Sequence, residues 1–163
     1  MKFGFTGTRA GMTEKQHRAC ISIFENYGGK EIHHGDCVGS DYEIHQAFIY
    51  RPVNIIVHPP IVDKFRAYSG GRIISMSKTD SGTGITNTEH KTIEFRTPKS
   101  YFARNRDIVE ETDSLIAAPL TEEEKGGTWY TINYARQLKR SIFIVLPNGT
   151  FVEENELCCT YKK

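Results

Sequence analysis

Asp113 to Leu146 reads DSLIAAPLTEEEKGGTWYTINYARQLKRSIFIVL, and the fold is decided by this stretch. Asp113 to Ala118 is an apolar run of strand length, followed by the polar, glycine-ended loop PLTEEEKGG. Ile132, Ala135 and Leu138 then repeat at helical spacing, and the helix runs to about Arg140. Ser141 to Leu146 (SIFIVL) is a second buried strand. Strands that alternate with helices imply a parallel sheet covered on both faces.

The rest of the chain repeats this grammar. Lys2 to Thr6 (KFGFT) is a short strand ending at Gly7. Thr13-Glu14-Lys15-Gln16 has capping-box spacing, Ala19, Cys20, Ile23, Phe24 and Tyr27 follow at helical intervals, and Gly28-Gly29 closes the helix. Glu31 to His34 is a strand, the loop GDCVGSD follows, and a helix begins near Ser40 or Asp41 with Ile44, Ala47 and Phe48 on one face. Pro52 ends it, and Val53 to Val57 (VNIIV) is a buried strand. A further helix covers about Ser100 to Thr112, and Asn148-Gly149 signals a turn before a short strand or tail. The expectation is an α/β, doubly wound parallel sheet of about five strands with helices on both faces, forming one domain over residues 1–163.

One region departs from the pattern. From about Ser69 to Thr97 the chain is polar and glycine-rich around SKTDSGTG, with Ile73-Ile74 and Ile93-Glu94-Phe95 placed to flank it as a loose hairpin. An insertion of this length is either a mobile lid or a disordered excursion. We read it as a lid, because long loops often carry function.

Composition narrows the function classes. The chain has 163 residues, 38% hydrophobic and 25% charged, which suits an ordinary globular domain. A formal net charge of +1 supplies no field that would gather DNA or an anionic membrane. Cys20, Cys37, Cys158 and Cys159 form no CxxC pair and read as free thiols of a reducing compartment. MKFGFTGTRAGM is too glycine-broken for a secretion signal, and no apolar run reaches membrane-spanning length. A cytoplasmic protein without a membrane partner is expected.

Open parallel sheets bind ligands beyond the carboxyl ends of their strands, where strand order reverses. That rule selects three glycine-marked loops. In Gly7-Thr8-Arg9 the glycine permits close approach, the threonine offers a hydroxyl and the arginine a planar fork for phosphate; a turn with a surface arginine is the plain alternative. Gly35, Asp36 and Gly39 bracket a strand-to-helix turn whose amides point out of the helix start, while Asp41 reads as a helix cap. Gly126, Gly127 and Thr128 precede a helix in the manner of a phosphate cradle. Trp129, beside it, either stacks on a nucleobase or packs under the preceding loop. Arg104 and Arg106 point in different directions on their helix, so one can face a cleft while the other pairs with Asp107, Glu110 or Asp113. Adjacent His33 and His34 occupy opposite faces of a strand, which argues against one ion; no metal site is expected, and His45 reads as a hydrogen-bonding partner within the fold.

With those residues in place, the chain resembles the SLOG superfamily of Rossmann-like nucleotide-binding proteins, which includes LOG phosphoribohydrolases and the DNA-processing protein A family. The resemblance covers Gly4 to Pro147 outside the insertion and rests on GTR, GDCVGSDYEIH, FARNRDIVEETDSLIAAP and GGTWYTINYA in that order. It implies a Rossmann-like fold, no cofactor, and a homodimer paired through helices. LOG enzymes cleave a nucleotide N-glycosidic bond with an arginine, which Arg104 matches, and a glutamate three residues after the GGxGT threonine. Here Trp129, Tyr130 and Thr131 follow Thr128, so that carboxylate is replaced by neutral groups. Glycosidic cleavage builds positive charge on the sugar and needs a carboxylate; Glu122, Glu123, Glu124 or Asp36 would have to supply it. The resemblance therefore implies a binder of a phosphate-bearing nucleotide, an adenine nucleotide or ADP-ribose-like ligand, linear or a cyclic signalling nucleotide, acting as sensor, carrier or sequestering protein. The alternatives are a nucleotide N-glycosidase with a relocated carboxylate and, disfavoured by charge, single-stranded DNA binding.

Overall fold

The computed structural model describes residues 1–69 and 92–155. Among the described residues twelve short elements follow one another: β1 (Lys2–Gly7), α1 (Glu14–Asn26), β2 (Glu31–His34), α2 (Ser40–Phe48), β3 (Asn54–Val57), a 3-10 turn (Asp63–Phe65), β4 (Ile93–Phe95), α3 (Tyr101–Glu110), β5 (Ser114–Ala118), α4 (Gly126–Gln137), β6 (Ser141–Val145) and β7 (Phe151–Glu154). The strands form one sheet in the order β4-β3-β2-β1-β5-β6-β7. All neighbours pair in parallel except β6 and β7, which are antiparallel across the turn at Gly149.

Two edge strands exceed the five expected from the sequence. β4 corrects the loose hairpin: Ile93, Glu94 and Phe95 pair in parallel with Ile55, Ile56 and Val57. The short run lacked a turn signal of its own, and only tertiary pairing defines it. Ile73, Ile74 and most of the proposed lid lie outside the described residues, as do Cys158 and Cys159.

Two apolar layers hold the sheet. On one face Phe3 and Phe5, two apart on β1, meet Cys20, Ile23 and Phe24 of α1 and Ile44 and Phe48 of α2. Phe24 is the hub, with ring centroids 5.4 Å from Phe3 and 4.5 Å from Phe48; such aromatic pairs add about 0.5–1.5 kcal/mol beyond burial alone. On the other face Val109, Leu115, Ala117, Trp129, Ile132, Ala135, Ile142 and Ile144 form a second layer beneath α3 and α4. Gly4 explains how closely α3 approaches: a Cβ there would sit 2.9 Å from Ile108 Cγ2 and Thr112 Oγ1. Leu138, expected on the core stripe of α4, instead lies at its C-terminal cap and is 41% exposed, because the helical repeat ends at Gln137.

α1 is capped by Thr13, as its sequence suggests, but only half of the capping box forms. Thr13 accepts from Gln16 N–H at 3.1 Å, as a capping box requires, but the Gln16 amide does not reach back. It is buried and donates to the carbonyls of Pro119 and Val145, tying α1 to the loops after β5 and β6.

Candidate functional site

Strand order reverses between β1 and β5, which pair in register from Phe3–Ser114 to Gly7–Ala118. Their carboxyl ends open into a cavity of about 530 Å³, within the usual range for small-molecule sites. Thr6 to Arg9 form one wall, Pro119 to Thr121 with Glu123 and Lys125 to Trp129 another, and Tyr101, Phe102, Arg104 and Asn105 of α3 a third. Cys37 and Asp41 lie at the back.

Of the residues singled out in the sequence, Gly7, Thr8, Arg9, Arg104, Gly126, Gly127, Thr128 and Trp129 all line this cavity. Gly35, Asp36 and Gly39 do not, and each is explained by packing. A Cβ on Gly35 would fall 0.8 Å from Arg104 Nη1, so that glycine makes room for the guanidinium. Gly39, at φ +85°, lets Arg9 O and Thr8 O approach within 2.7 Å of where its Cβ would be. Asp36 is fully buried with a left-handed φ of 54°; its two carboxylate oxygens accept from Arg66 Nε at 2.8 Å and from Ser69 N–H at 2.9 Å. It anchors the segment after the 3-10 turn.

Arg104 is 6% exposed, with Nη1 3.5 Å from Asp41 Oδ2 and Nη2 3.0 Å from Cys37 Sγ. Its buried Nε has no hydrogen-bond partner among the described residues. Asp41 is not the cap expected for α2: Gly39 holds that position, and Asp41 Oδ2 accepts from Cys37 N–H at 3.2 Å from inside the first turn. Burial raises the Asp41 carboxyl above its ordinary range, with Arg104 pulling the other way, and burial likewise pushes the Cys37 thiol up.

Arg9 is held by rings. Its guanidinium carbon lies 3.9 Å from the Phe65 centroid and 5.2 Å from that of Tyr101. Opposite it, α4 begins at Lys125–Gly126 with no side-chain cap; Gly126 and Gly127 are exposed and Thr128 is half-buried. The first amides of a helix have no intrahelical acceptor and carry the positive end of its dipole. Trp129 packs in the core layer and donates from Nε1 to Thr121 O at 3.1 Å, pinning the loop that frames this mouth.

Arg106 corrects a pairing. Among the described residues it makes no ion pair at contact distance; Nε donates to Tyr130 Oη at 2.8 Å and the guanidinium lies over Tyr134. Thr131 is engaged too, accepting from Asn105 Nδ2 and donating to Gly127 O, each at 2.9 Å. The neutral residues after Thr128 thus brace α3 against α4.

The histidines sort by face, as strand geometry demands. His34 Nε2 meets His45 Nδ1 at 2.9 Å under α2, whereas His33 Nδ1 meets His58 Nε2 at 2.9 Å on the α3 side. His58 carried no signal in the sequence, since only the pairing of β2 with β3 brings it beside His33.

No family model and no curated protein matches this chain. Among solved structures, TM1055, a structural-genomics target, is similar at TM-score 0.52 and 14% identity over 87% of this chain and 72% of its own. DNA processing protein A (DprA) from Streptococcus pneumoniae is similar at TM-score 0.56 and 16% identity over 88% of this chain. This chain spans 50% of DprA's length. At such identities the likeness is one of fold alone, an α/β Rossmann-like architecture.

Proposed function

We propose that the cavity between β1 and β5 binds a phosphate-bearing nucleotide, an adenine nucleotide or ADP-ribose-like molecule, linear or cyclic. One observation carries this reading: a helix start without a side-chain cap, a ring-held Arg9 and the Arg104 side chain line one cavity. Amides at a helix start and guanidinium forks are the groups that hold phosphate in water. Phe102 and Leu120, 57% and 58% exposed at the rim, offer an apolar platform for a base. Sensor, carrier and sequestering roles all follow from such binding.

Arg9 is the residue to test, because Arg104→Ala would also leave Asp41 buried without its partner. Thermal shift and calorimetry with adenine nucleotides and ADP-ribose should show a ligand that raises the melting temperature. Arg9→Ala should weaken that binding by about 1.5–3 kcal/mol while the protein stays folded. The reading fails if no phosphate-bearing nucleotide binds, or if Arg9→Ala binds as the parent does.

Asp41 and Glu123, the carboxylates that line the cavity, favour a second reading. An acid whose burial raises its pKa can donate a proton to a departing base. Under that reading, nucleoside monophosphates would release free base, and Glu123→Gln or Asp41→Asn would stop the release.

A further inference from the structure

On the face of β2 opposite His34, a cluster sits beneath the C-terminal end of α3. His33 comes from β2, His58 follows β3, and Glu111 is the C-cap of α3. One ligand atom from each lies within 4.8 Å of the other two. His33 Nδ1 faces His58 Nε2 at 2.9 Å, and Glu111 Oε2 lies 3.9 Å from His33 Nδ1. Tetrahedral bonds of about 2.0–2.1 Å set ligand atoms roughly 3.3 Å apart, between those two separations.

The surroundings orient the donors. His33 Nε2 meets Glu31 Oε1 at 3.0 Å, and Glu31 is in turn held by Lys2 Nζ at 3.1 Å. That contact keeps a proton on Nε2 and turns the Nδ1 lone pair inward, the carboxylate–histidine arrangement that fixes metal ligands. Both imidazoles are buried, each 1% exposed. One cation already competes: Arg96 donates to Glu111 Oε2 from Nε at 2.9 Å and Nη2 at 2.7 Å. Its side chain is 35% exposed and has Glu94 as a second partner, so it can leave Glu111 without being stranded.

We infer that His33 Nδ1, His58 Nε2 and Glu111 Oε2 form a site for one divalent transition metal of the zinc class, with solvent completing the shell and Arg96 as the resident competitor. Two imidazoles and one carboxylate favour zinc, cobalt or nickel over magnesium and calcium, which take oxygen donors. The ion would fasten the C-terminal end of α3 to β2 and β3. The other end of that helix presents Tyr101 and Arg104 to the cavity.

The test is calorimetric titration of chelator-treated full chain with Zn²⁺, together with Co²⁺ absorption. The expected result is one Zn²⁺ per chain, and tetrahedral cobalt bands without thiolate charge transfer, which separates this site from the cysteines. Glu111→Gln should weaken binding at least about tenfold, His58→Gln should remove it, and Arg96→Ala should tighten it. Glu111 sits at an exposed helix end, so Glu111→Gln remains decisive if His58→Gln does not fold. Absence of saturable Zn²⁺ binding, a thiolate cobalt band, or unchanged affinity in Glu111→Gln overturns the inference.

Discussion

Two loops look alike in the sequence, each a glycine pair at the start of a helix, and the molecule uses them in opposite ways. In the loop after β2, Gly35 and Gly39 are filled space: Arg104 occupies the first, the backbone of Thr8 and Arg9 the second. The start of α2 is likewise taken, since Ser40 N–H and its hydroxyl both donate to Thr8 O, at 3.0 and 2.8 Å. In the loop after β5, a Cβ on Gly126 or Gly127 would meet nothing within 4 Å, and α4 starts without a cap. One helix start is satisfied by the protein itself and the other faces the cavity. Glycine therefore marks a space filled by the protein's own atoms in one loop and an open space in the other.

The largest expected effect lies in the filled loop. Gly35→Ala puts a methyl where Arg104 Nη1 is, and moving that buried guanidinium breaks its pairing with Asp41. Stranding one partner of a buried ion pair costs about 3–5 kcal/mol. Urea unfolding should show a loss of that order. A variant of parental stability would mean that Gly35 is not packing space and that the two loops are more alike than the geometry indicates.

This contrast also sets the limit of what the sequence could tell. The strand–helix alternation, the switch point and the convergence of Gly7, Arg9, Arg104 and Gly127 follow from periodicity and from where parallel sheets place their loops. Whether a glycine is filled does not, because Arg104 is 69 residues from Gly35 and meets it only after β1 and β2 pair. The engagement of Asp36 away from the cavity lining was hidden for the same reason: its partners, Arg66 and Ser69, come from a segment with no regular pattern. β4 was read as a hairpin arm and not as a parallel edge strand, because three residues carry too little periodicity to name a partner. His58 was missed because nothing local distinguishes it.

Acid should act on the filled loop next. His34 Nδ1 accepts from Asp36 N–H at 3.2 Å, so this loop hangs from a buried histidine. Burial lowers the pKa of His33 and His34, and takes His58 to about 3. For a base whose folded pKa is depressed, the unfolded chain binds more protons once pH falls below its ordinary value of about 6.5. The stability is therefore complete above that pH and is lost as pH falls from there toward the folded values. Each histidine contributes a slope of up to about 1.4 kcal/mol per pH unit. Asp41, whose pKa burial raises, works in the opposite sense, one group against three. Urea midpoints should fall between pH 7 and 5, and the protection of amides 35–41, taken relative to the intrinsic exchange rate at each pH, should fall with them. A flat or rising profile would detach the histidines from the loop.

The smallest effect on stability is expected in the open loop, and its sign is reversed. Gly127 has free space around its Cβ position and no positive φ, so a side chain there causes no clash. Gly127→Asp also places a carboxylate in the first turn of a helix that has no acidic residue there. That interaction stabilises a helix by about 0.3–1 kcal/mol, and replacing glycine inside the helix adds to it. The same charge would stand where a phosphate is proposed to sit, so nucleotide binding should fall at least about tenfold even as the urea midpoint rises. A packing role for the loop predicts the reverse, lost stability with affinity for any ligand unchanged. Opposite movement of the two measurements separates a helix start kept open for an anion from one that is merely exposed.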